Sequence, residues 1–526
     1  MVQSKQREST GGHAVLVSTG ILLTRLIGFV RQWIFLHYFG LTYVAEAFNA
    51  AFRIPNLLQN LFGEGVLSAS FIPVYSRLLA EGDEEEAGRV AGAVAAILAL
   101  TTAVLVLLGV VAAPLVTDFL AGGFHGAERE LTVRLVRILF PGAGLLVCSA
   151  WCLGILNSHR RFFLSYTAPV LWNLAMIATL LGFRRLHMES LIVMLAWGSV
   201  VGSALQFGIQ LPVVLRLSRH IRVWPATEDV QVREVVRNFV PVFFSRGVVQ
   251  ISAYVDVVLA SWLPIGAVTG ITSAQILYTL PVSLFGMAVS AAELPAMSAA
   301  LGDAGQIAAY LQRRLNAGLR QIAFFVVPSA MAFVALGGVI TAALFESKGG
   351  KFVHADSTYV WGIVAGSAVG LLASTLGRLY SSTYYALRDT RTPLRFAVIR
   401  VILTTGLGYL CALRLPHWIG VEPRWGAAGL TASAGVAGWV EFTLLRRTLN
   451  RRIGQTGLPA ALVARLWASA AIAAGAGWGV KLTLGSGHNI VYGAMILGTY
   501  GAVYFAMTCL LGVEECAGMW RRLRRR

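Results

Sequence analysis

Long apolar segments, each of a length suited to crossing a bilayer, recur from one end of the chain to the other. A transmembrane helix needs about 20 mostly apolar residues, whereas a β-barrel would show alternating segments of about ten residues. The sequence therefore predicts an all-α polytopic membrane protein. By the length criterion we expect about fourteen transmembrane helices, near residues 14–39, 43–63, 90–116, 131–156, 166–183, 190–215, 236–262, 268–300, 318–344, 358–385, 394–413, 426–445, 459–482 and 489–512.

The first two predicted spans carry more charge than apolar helices normally tolerate. The first contains Arg25 and Arg31. The second contains Glu46 and Arg53, and Glu64 follows shortly after it. One charge at mid-membrane costs about 2.5–3.5 kcal/mol even on the lenient insertion scale. Polar residues on the second span also recur every three or four positions along one helix face: Glu46, Asn49, Arg53, Asn56 and Asn60.

Two helices with such polar faces are expected to line a shared, water-accessible cavity, because charges within a membrane face protein or water. The three arginines outnumber the two carboxylates. A surplus of fixed positive charge favours an anionic ligand, and the planar guanidinium suits phosphate. The alternative is that these groups form ion pairs that only lock the helices together.

Composition and charge exclude other classes of protein. The chain of 526 residues is 56% hydrophobic and 13% charged, which is untypical of a soluble globular protein. Its net charge of +18 raises the question of nucleic acid. The basic residues, however, concentrate in alternate loops, which is the positive-inside pattern of membrane proteins. We therefore expect no nucleic-acid partner, contact with anionic membrane lipids, and both termini in the cytoplasm.

A polar stretch near the middle divides the chain into two halves. We predict an N-terminal lobe of six spans (1–217), a cytoplasmic linker (218–237), a C-terminal lobe of six spans (238–449), and two final spans with a basic tail (450–526). Pro281 aligns with Pro55 as a proline that interrupts the second span of each half. Such repeats are common in transporters. The second half's polar stripe, which includes Gln275, is almost uncharged.

Other chemistry-bearing residues form few patterns. Asp256 lies inside the seventh predicted span, as either a cation-coupling carboxylate or a packing aspartate. The histidines show no metal-binding spacing, and no glycine-rich phosphate loop follows a strand, so no metal site or catalytic constellation is expected. The five cysteines lie in or beside apolar segments and are interpreted as small packing residues.

Several stretches resemble signatures of the MurJ/MviN lipid II flippases, and the resemblance covers nearly the whole chain. The opening matches at 23–31 (LTRLIGFVR), 46–48 (EAF), 53–58 (RIPNLL), 62–65 (FGEG) and 71–73 (FIP). Two further matches are 155–159 (ILNSH) and 385–393 (YALRDTRTP). The resemblance implies the fold of the multidrug/oligosaccharidyl-lipid/polysaccharide (MOP) exporters, with two six-helix lobes plus two C-terminal helices.

The resemblance also implies a function and a binding site. The expected function is transfer of the lipid-linked peptidoglycan precursor, lipid II, from the cytoplasmic to the outer leaflet by alternating access. The residues that match the family's charged cavity positions are Arg25, Arg31, Glu46, Arg53 and Glu64. Neutral residues replace commonly charged ones at Gln32, Gln59, Gln275 and Ile276. The predicted headgroup site consists of Arg25, Arg31, Arg53, Glu46, Glu64, Asn49, Asn56, Gln59 and Gln275.

The sequence thus predicts a transporter of the bacterial cytoplasmic (inner) membrane rather than an enzyme. No cofactor is expected, and transport is coupled either to the membrane potential or to a monovalent cation at Asp256. The expected partners are a lipid-linked anionic substrate and membrane lipids, with cell-wall synthesis proteins as further candidates. The alternatives are a flippase for another polyprenyl-pyrophosphate-linked oligosaccharide and a transport-inactive scaffold of the same fold.

Overall fold

The computed structural model describes residues 2–224, 228–484 and 490–516, excepting the side chains of 2–19, 21, 54, 64, 244–246 and 248–253. Packing divides the chain into two compact units, Met1–Val258 and Leu259–Arg526. The first unit contains α1 (Val2–Phe39), α2 (Tyr43–Phe62), α3 (Glu64–Glu81), α4 (Glu84–Val111), α5 (Ala113–Leu120), α6 (Gly126–Ser158), α7 (Phe162–Gly182), α8 (Met188–Leu217) and nearly all of α9 (Val230–Ser261).

The second unit is also built from helices throughout its described residues. Its α-helices are α10 (Ala267–Pro281), α11 (Ala288–Ser298), α12 (Ala304–Ala335), α13 (Gly337–Phe345), α14 (His354–Ala386), α15 (Arg391–Tyr409), α16 (Leu415–Ile419), α17 (Gly426–Ile453), α18 (Ala460–Leu484) and α19 (Ile490–Leu510). Two π-helical segments, Val282–Met287 and Leu410–Arg414, and a 3₁₀ turn, Pro423–Trp425, complete it.

The helices confirm the prediction of an all-α polytopic membrane protein. Within the described residues, 11 helical segments are long and apolar enough to cross a bilayer. The remaining three predicted spans fall on α1, α2 and α9, which lie outside those 11. The total of fourteen spans and the predicted domain boundaries stay predictions.

The two prolines aligned in the sequence behave differently. Pro281 ends α10 and is followed directly by the π-helical segment, as expected where a proline removes a helical hydrogen bond. Pro55 lies inside α2, which continues to Phe62. The predicted interruption of the second span at Pro55 is therefore wrong, because transmembrane helices accommodate proline when their surroundings satisfy the freed carbonyl.

The stretch that follows α8 packs against α4. A methyl group at Gly88 would lie 2.8 Å from His220, and one at Gly92 would lie 2.2 Å from the carbonyl oxygen of Arg222. The start of α9 is also tied down, since Glu234 pairs with Arg77 at 2.8 Å. The described part of the predicted linker, 218–224 and 228–237, therefore packs within the first unit.

Close packing of small residues joins α1 to α7. A methyl group at Gly20 would lie 2.9 Å from Cβ of Tyr166, whereas one at Gly28 would lie 3.7 Å from Oδ1 of Asn173. Between them, the hydroxyl of Thr24 donates to the carbonyl of Tyr166 at 3.0 Å. Small residues spaced by four allow helix backbones to approach closely in membranes. This contact sets the distance at which Arg31 of α1 faces α7.

We expect Gly20→Ala to destabilise the protein and Gly28→Ala to leave stability nearly unchanged. The added methyl at Gly20 meets a Cβ atom that cannot move without its backbone, and such overpacking costs about 1–3 kcal/mol. The methyl at Gly28 makes only an ordinary contact. Thermal unfolding of the two variants in the same detergent checks this. Equal unfolding temperatures would contradict the packing described for α1 and α7.

In the second unit, α19 compensates for a proline in α12. Pro328 has no N–H, so the carbonyl of Phe324 one turn earlier loses its helical donor. The hydroxyl of Tyr504 donates to this carbonyl at 2.7 Å. One turn away along α19, Tyr500 donates to the carbonyl of Pro328, also at 2.7 Å. These two bonds hold α19 against α12 at the turn where Pro328 removes a helical hydrogen bond.

The residues that follow α19 contact α12. Arg320 of α12 pairs with Glu514 at 2.8 Å and with Glu515 at 2.5 Å. Cys509 and Cys516 form a disulfide. The interpretation of all five cysteines as small packing residues is therefore wrong for this pair, because a turn after α19 brings together two residues that are separated by only seven positions.

We expect Tyr504→Phe to lower the free energy of unfolding by about 1–3 kcal/mol, since it leaves a buried carbonyl without a donor. Restoring an N–H with Pro328→Ala should cancel most of that loss. The measurement is thermal unfolding of the native chain, both single variants and the double variant. If Tyr504→Phe costs the same with Pro328 and with Ala at that position, the tyrosine does not replace the proline's missing donor.

Candidate functional site

The guanidinium of Arg31 lies against the face of an aromatic ring. Its Cζ is 4.9 Å from the ring centroid of Trp172 on α7. Its Nη1 lies 3.8 Å from Sδ of Met176, one turn further along the same helix. Among the described side chains, Arg31 forms no ion pair with a carboxylate. A half-buried cation is thus held by a π face and a thioether, and its charge is not neutralised there.

Trp172 connects three other helices of the first unit. Its ring stacks on Phe52 of α2, with centroids 5.6 Å apart and planes inclined by 30°. Its indole N–H donates to Oγ of Ser199 on α8 at 3.2 Å. A methyl group at Gly202 of α8 would lie 2.9 Å from the Trp172 carbonyl oxygen. The ring that carries Arg31 is therefore fixed on several sides.

Two amide side chains near this arginine are buried. Gln32 is 5% exposed, and its Nε2 has no hydrogen-bond partner in the described part of the chain. Asn173 is 4% exposed and donates from Nδ2 to the carbonyl of Pro169, while its Oδ1 has no partner among the described residues. Both residues flank the Arg31–Trp172 pair in sequence, so polar groups accompany the guanidinium on both helices.

The polar stripe of α2 changes from buried to exposed along the helix. Glu46 is 1% and Asn49 is 8% exposed, and both interact with other groups. Arg53 and Asn56 are half-buried, and Asn60 is exposed. Burial of a carboxylate requires compensation by charge or hydrogen bonds. The stripe is therefore a packed protein surface at its start and becomes accessible only towards Phe62.

Arg53 interacts with a carboxylate, unlike Arg31 among the described side chains. The carboxylate of Asp256 on α9 interacts electrostatically with its guanidinium. Its backbone carbonyl accepts a hydrogen bond of 2.8 Å from the hydroxyl of Tyr254. Asp256 and Arg53 are 203 positions apart in the sequence, which is why spacing alone did not pair them. One predicted site arginine thus interacts with the aspartate that was predicted as a coupling residue.

The other predicted residues do not all join this cluster. Arg25 is exposed and engaged in an interaction of its own. Gln59 is half-buried on the last turn of α2. Gln275 is half-buried on α10, in the second unit. Glu64 lies outside the described side chains.

The arrangement suits recognition of an anion. The planar guanidinium holds its N–H donors in one plane, which matches phosphate oxygens, and the indole ring 4.9 Å away restricts its position. In the described residues, no group of three or more His, Cys, Asp and Glu side chains could hold a metal ion. Sequence analysis missed Trp172, Met176 and Phe52. Trp172 precedes the polar Asn173 within an apolar helix, but nothing in the sequence links it to Arg31.

Comparison with known proteins identifies relatives over most of the chain. The family described as "Lipid II flippase MurJ" matches residues 35–501. The chain is 32% identical over 446 residues to the lipid II flippase MurJ of Burkholderia cenocepacia, covering 84% of each protein. It is 27% identical over 526 residues to a probable lipid II flippase MurJ of Vibrio cholerae, covering 95% of this chain and 96% of that protein.

Solved structures agree in fold. A lipid II flippase MurJ in an inward closed conformation superposes with a TM-score of 0.78 at 22% identity, covering 94% of this chain and 98% of that one. An inward-facing multidrug resistance MATE transporter of the MOP superfamily superposes with a TM-score of 0.63 at 18% identity, covering 83% and 98%. The family match, the relatives and the shared fold lead to one conclusion: the chain belongs to the lipid II flippase MurJ family of membrane transporters.

Proposed function

We propose that the protein moves lipid II, the lipid-linked peptidoglycan precursor, from the cytoplasmic to the outer leaflet of the bacterial inner membrane by alternating access. Membership of the family supports the substrate. The observation that carries the mechanism is Arg31 stacked on Trp172 without a carboxylate partner among the described side chains. Such a cation in a largely apolar helix is a ready partner for an anion.

Arg31 is the residue that binds the diphosphate of the substrate. Its N–H groups donate to phosphate oxygens while the indole of Trp172 holds the guanidinium plane in place. Arg25 adds positive charge to the same helix two turns earlier, and Asn49, Asn56 and Gln59 offer hydrogen bonds from α2. Arg53, paired with Asp256, adds less net charge than its position suggests. The prenyl tail stays in the lipid.

The membrane potential drives transport. The inside of a bacterium is negative, so outward movement of a negatively charged headgroup releases about 2.3 kcal/mol per charge per 100 mV. The electrostatic interaction of Asp256 with the guanidinium of Arg53 favours a packing role for this aspartate over cation coupling. Both termini lie in the cytoplasm, as the positive-inside pattern requires.

We expect Arg31→Ala to reduce transport strongly and Arg31→Lys to reduce it less. A lost hydrogen bond to a charged group is worth about 1.5–3 kcal/mol, so precursor translocation should fall about ten- to a hundredfold. Lysine keeps the charge but loses the planar contact with Trp172. The measurement is growth and precursor translocation in a strain depleted of its own flippase.

Arg414→Ala is the matched control, because Arg414 also lies over an aromatic ring, that of Tyr409 at 5.8 Å, but in the second unit and on an exposed segment. It should support normal growth. Unimpaired translocation by an expressed and folded Arg31→Ala variant would refute the role assigned to Arg31. Failure of both variants would point to general damage from loss of surface arginines instead.

We expect Arg53→Ala to be more damaging alone than together with Asp256→Ala. Removing one of two interacting opposite charges leaves the other uncompensated, which costs about 3–5 kcal/mol where the pair is fully buried and less where it is half-buried, and removing both relieves most of that cost. Thermal unfolding and growth of the two single variants and the double variant measure the coupling. If Asp256 instead binds a driving cation, the double variant stays inactive and transport by the native chain depends on that cation.

A further inference from the structure

A pocket of about 470 Å³ opens where three membrane helices of the first unit meet. It lies between the end of α6, the start of α7 and the end of α8. This volume is within the usual range for small-molecule sites. The residues that line it are Arg160, Arg161, Phe162, Phe163, Leu164, Val213, Arg216 and Leu217. None of them belongs to the Arg31–Trp172 cluster.

The pocket combines three positive charges with apolar walls. Arg160, Arg161 and Arg216 are all exposed. None of them forms an ion pair with a carboxylate of the described residues. Three guanidinium groups around one cavity repel one another, and an anion that lies between them lowers this repulsion. The geometry therefore favours an anionic ligand with an apolar portion.

The backbone at Arg160 is unusual for its residue type. Arg160 has φ of 58°, the left-handed conformation in which glycine is favoured. The N–H of Arg161 donates to the carbonyl of Leu156 at 2.8 Å and that of Arg160 to Asn157 at 3.0 Å, which closes the end of α6. Glycine would make this turn with less strain. Arginine instead places a charge at the pocket.

The end of α14 makes the same turn, but an aspartate follows the left-handed arginine there instead of a second arginine. Arg388 has φ of 59°, and the N–H of the following Asp389 donates to the carbonyl of Tyr384 at 2.9 Å. Asp389 occupies the place of Arg161. It accepts hydrogen bonds from the N–H and hydroxyl of Thr392, which lower its pKa to about 2, and it pairs with Arg452 at 2.7 Å. The turn therefore does not itself require two adjacent arginines.

We propose that this pocket binds the phosphate of an anionic phospholipid, with Arg160, Arg161 and Arg216 around the phosphate and an acyl chain along the apolar wall. The source is a lipid and not free phosphate, because the pocket lies at the ends of three helices that are long and apolar enough to span the membrane. Phe163 is 55% and the neighbouring Leu215 is 49% exposed, so an apolar surface continues from the pocket. Such a junction of apolar and basic surface is typical of the headgroup region.

The test is binding of phosphatidylglycerol to the purified full-length chain in detergent, titrated and followed by native mass spectrometry, with phosphatidylcholine as the zwitterionic reference. Arg160→Gly should bind phosphatidylglycerol about fivefold more weakly, and the combination of Arg160→Gly, Arg161→Gln and Arg216→Gln about a hundredfold more weakly. Binding of phosphatidylcholine should not change. Because glycine suits the left-handed turn, Arg160→Gly should unfold at the same temperature as the native chain or higher.

Arg388→Gly is the matched control, since it makes the same exchange at the equivalent turn of the second unit, and it should bind phosphatidylglycerol as the native chain does. Equal affinity of the triple variant and the native chain would overturn the proposal. Displacement of the lipid by an equal concentration of inorganic phosphate would also overturn it, because the pocket would then recognise a free anion.

Discussion

A charge inside an apolar helix has to be stabilised by something in the protein, and the first unit meets this requirement in two different ways. The guanidinium of Arg53 interacts electrostatically with the carboxylate of Asp256. Arg31 is held by the ring of Trp172 and the sulfur of Met176, which stabilise a cation without neutralising it. Two arginines that look equivalent in sequence therefore differ in the charge that they can offer to a ligand.

This difference depends on packing far from the arginine itself. The ring of Trp172 is itself held by Phe52, which stacks on it, and by Ser199, which accepts a hydrogen bond from its indole N–H. The distance between α1 and α7 is in turn set by the small residues Gly20 and Thr24. The position of one guanidinium thus depends on contacts from four helices, and each of those contacts joins residues that are distant in sequence.

Periodicity was sufficient to predict the helices and the polar stripe of α2, because a hydrophobic face and a polar face repeat with the helix. It could not predict that the stripe is buried at Glu46 and exposed at Asn60, since burial depends on which helix packs there. Nor could it pair Arg53 with Asp256 or find Trp172. Pro55 was misjudged for the same reason: whether a proline breaks a membrane helix depends on its neighbours.

The tyrosines of α19 have a consequence for movement. A helix that lacks one internal hydrogen bond bends most easily at that point. In α12 this point lies at Pro328. The hydroxyls of Tyr500 and Tyr504, on α19, donate hydrogen bonds to the carbonyls of Pro328 and Phe324. Bending of α12 at this point therefore requires that α19 slides or that these two hydrogen bonds break. The attachment of α19 thus limits bending of α12 at its proline.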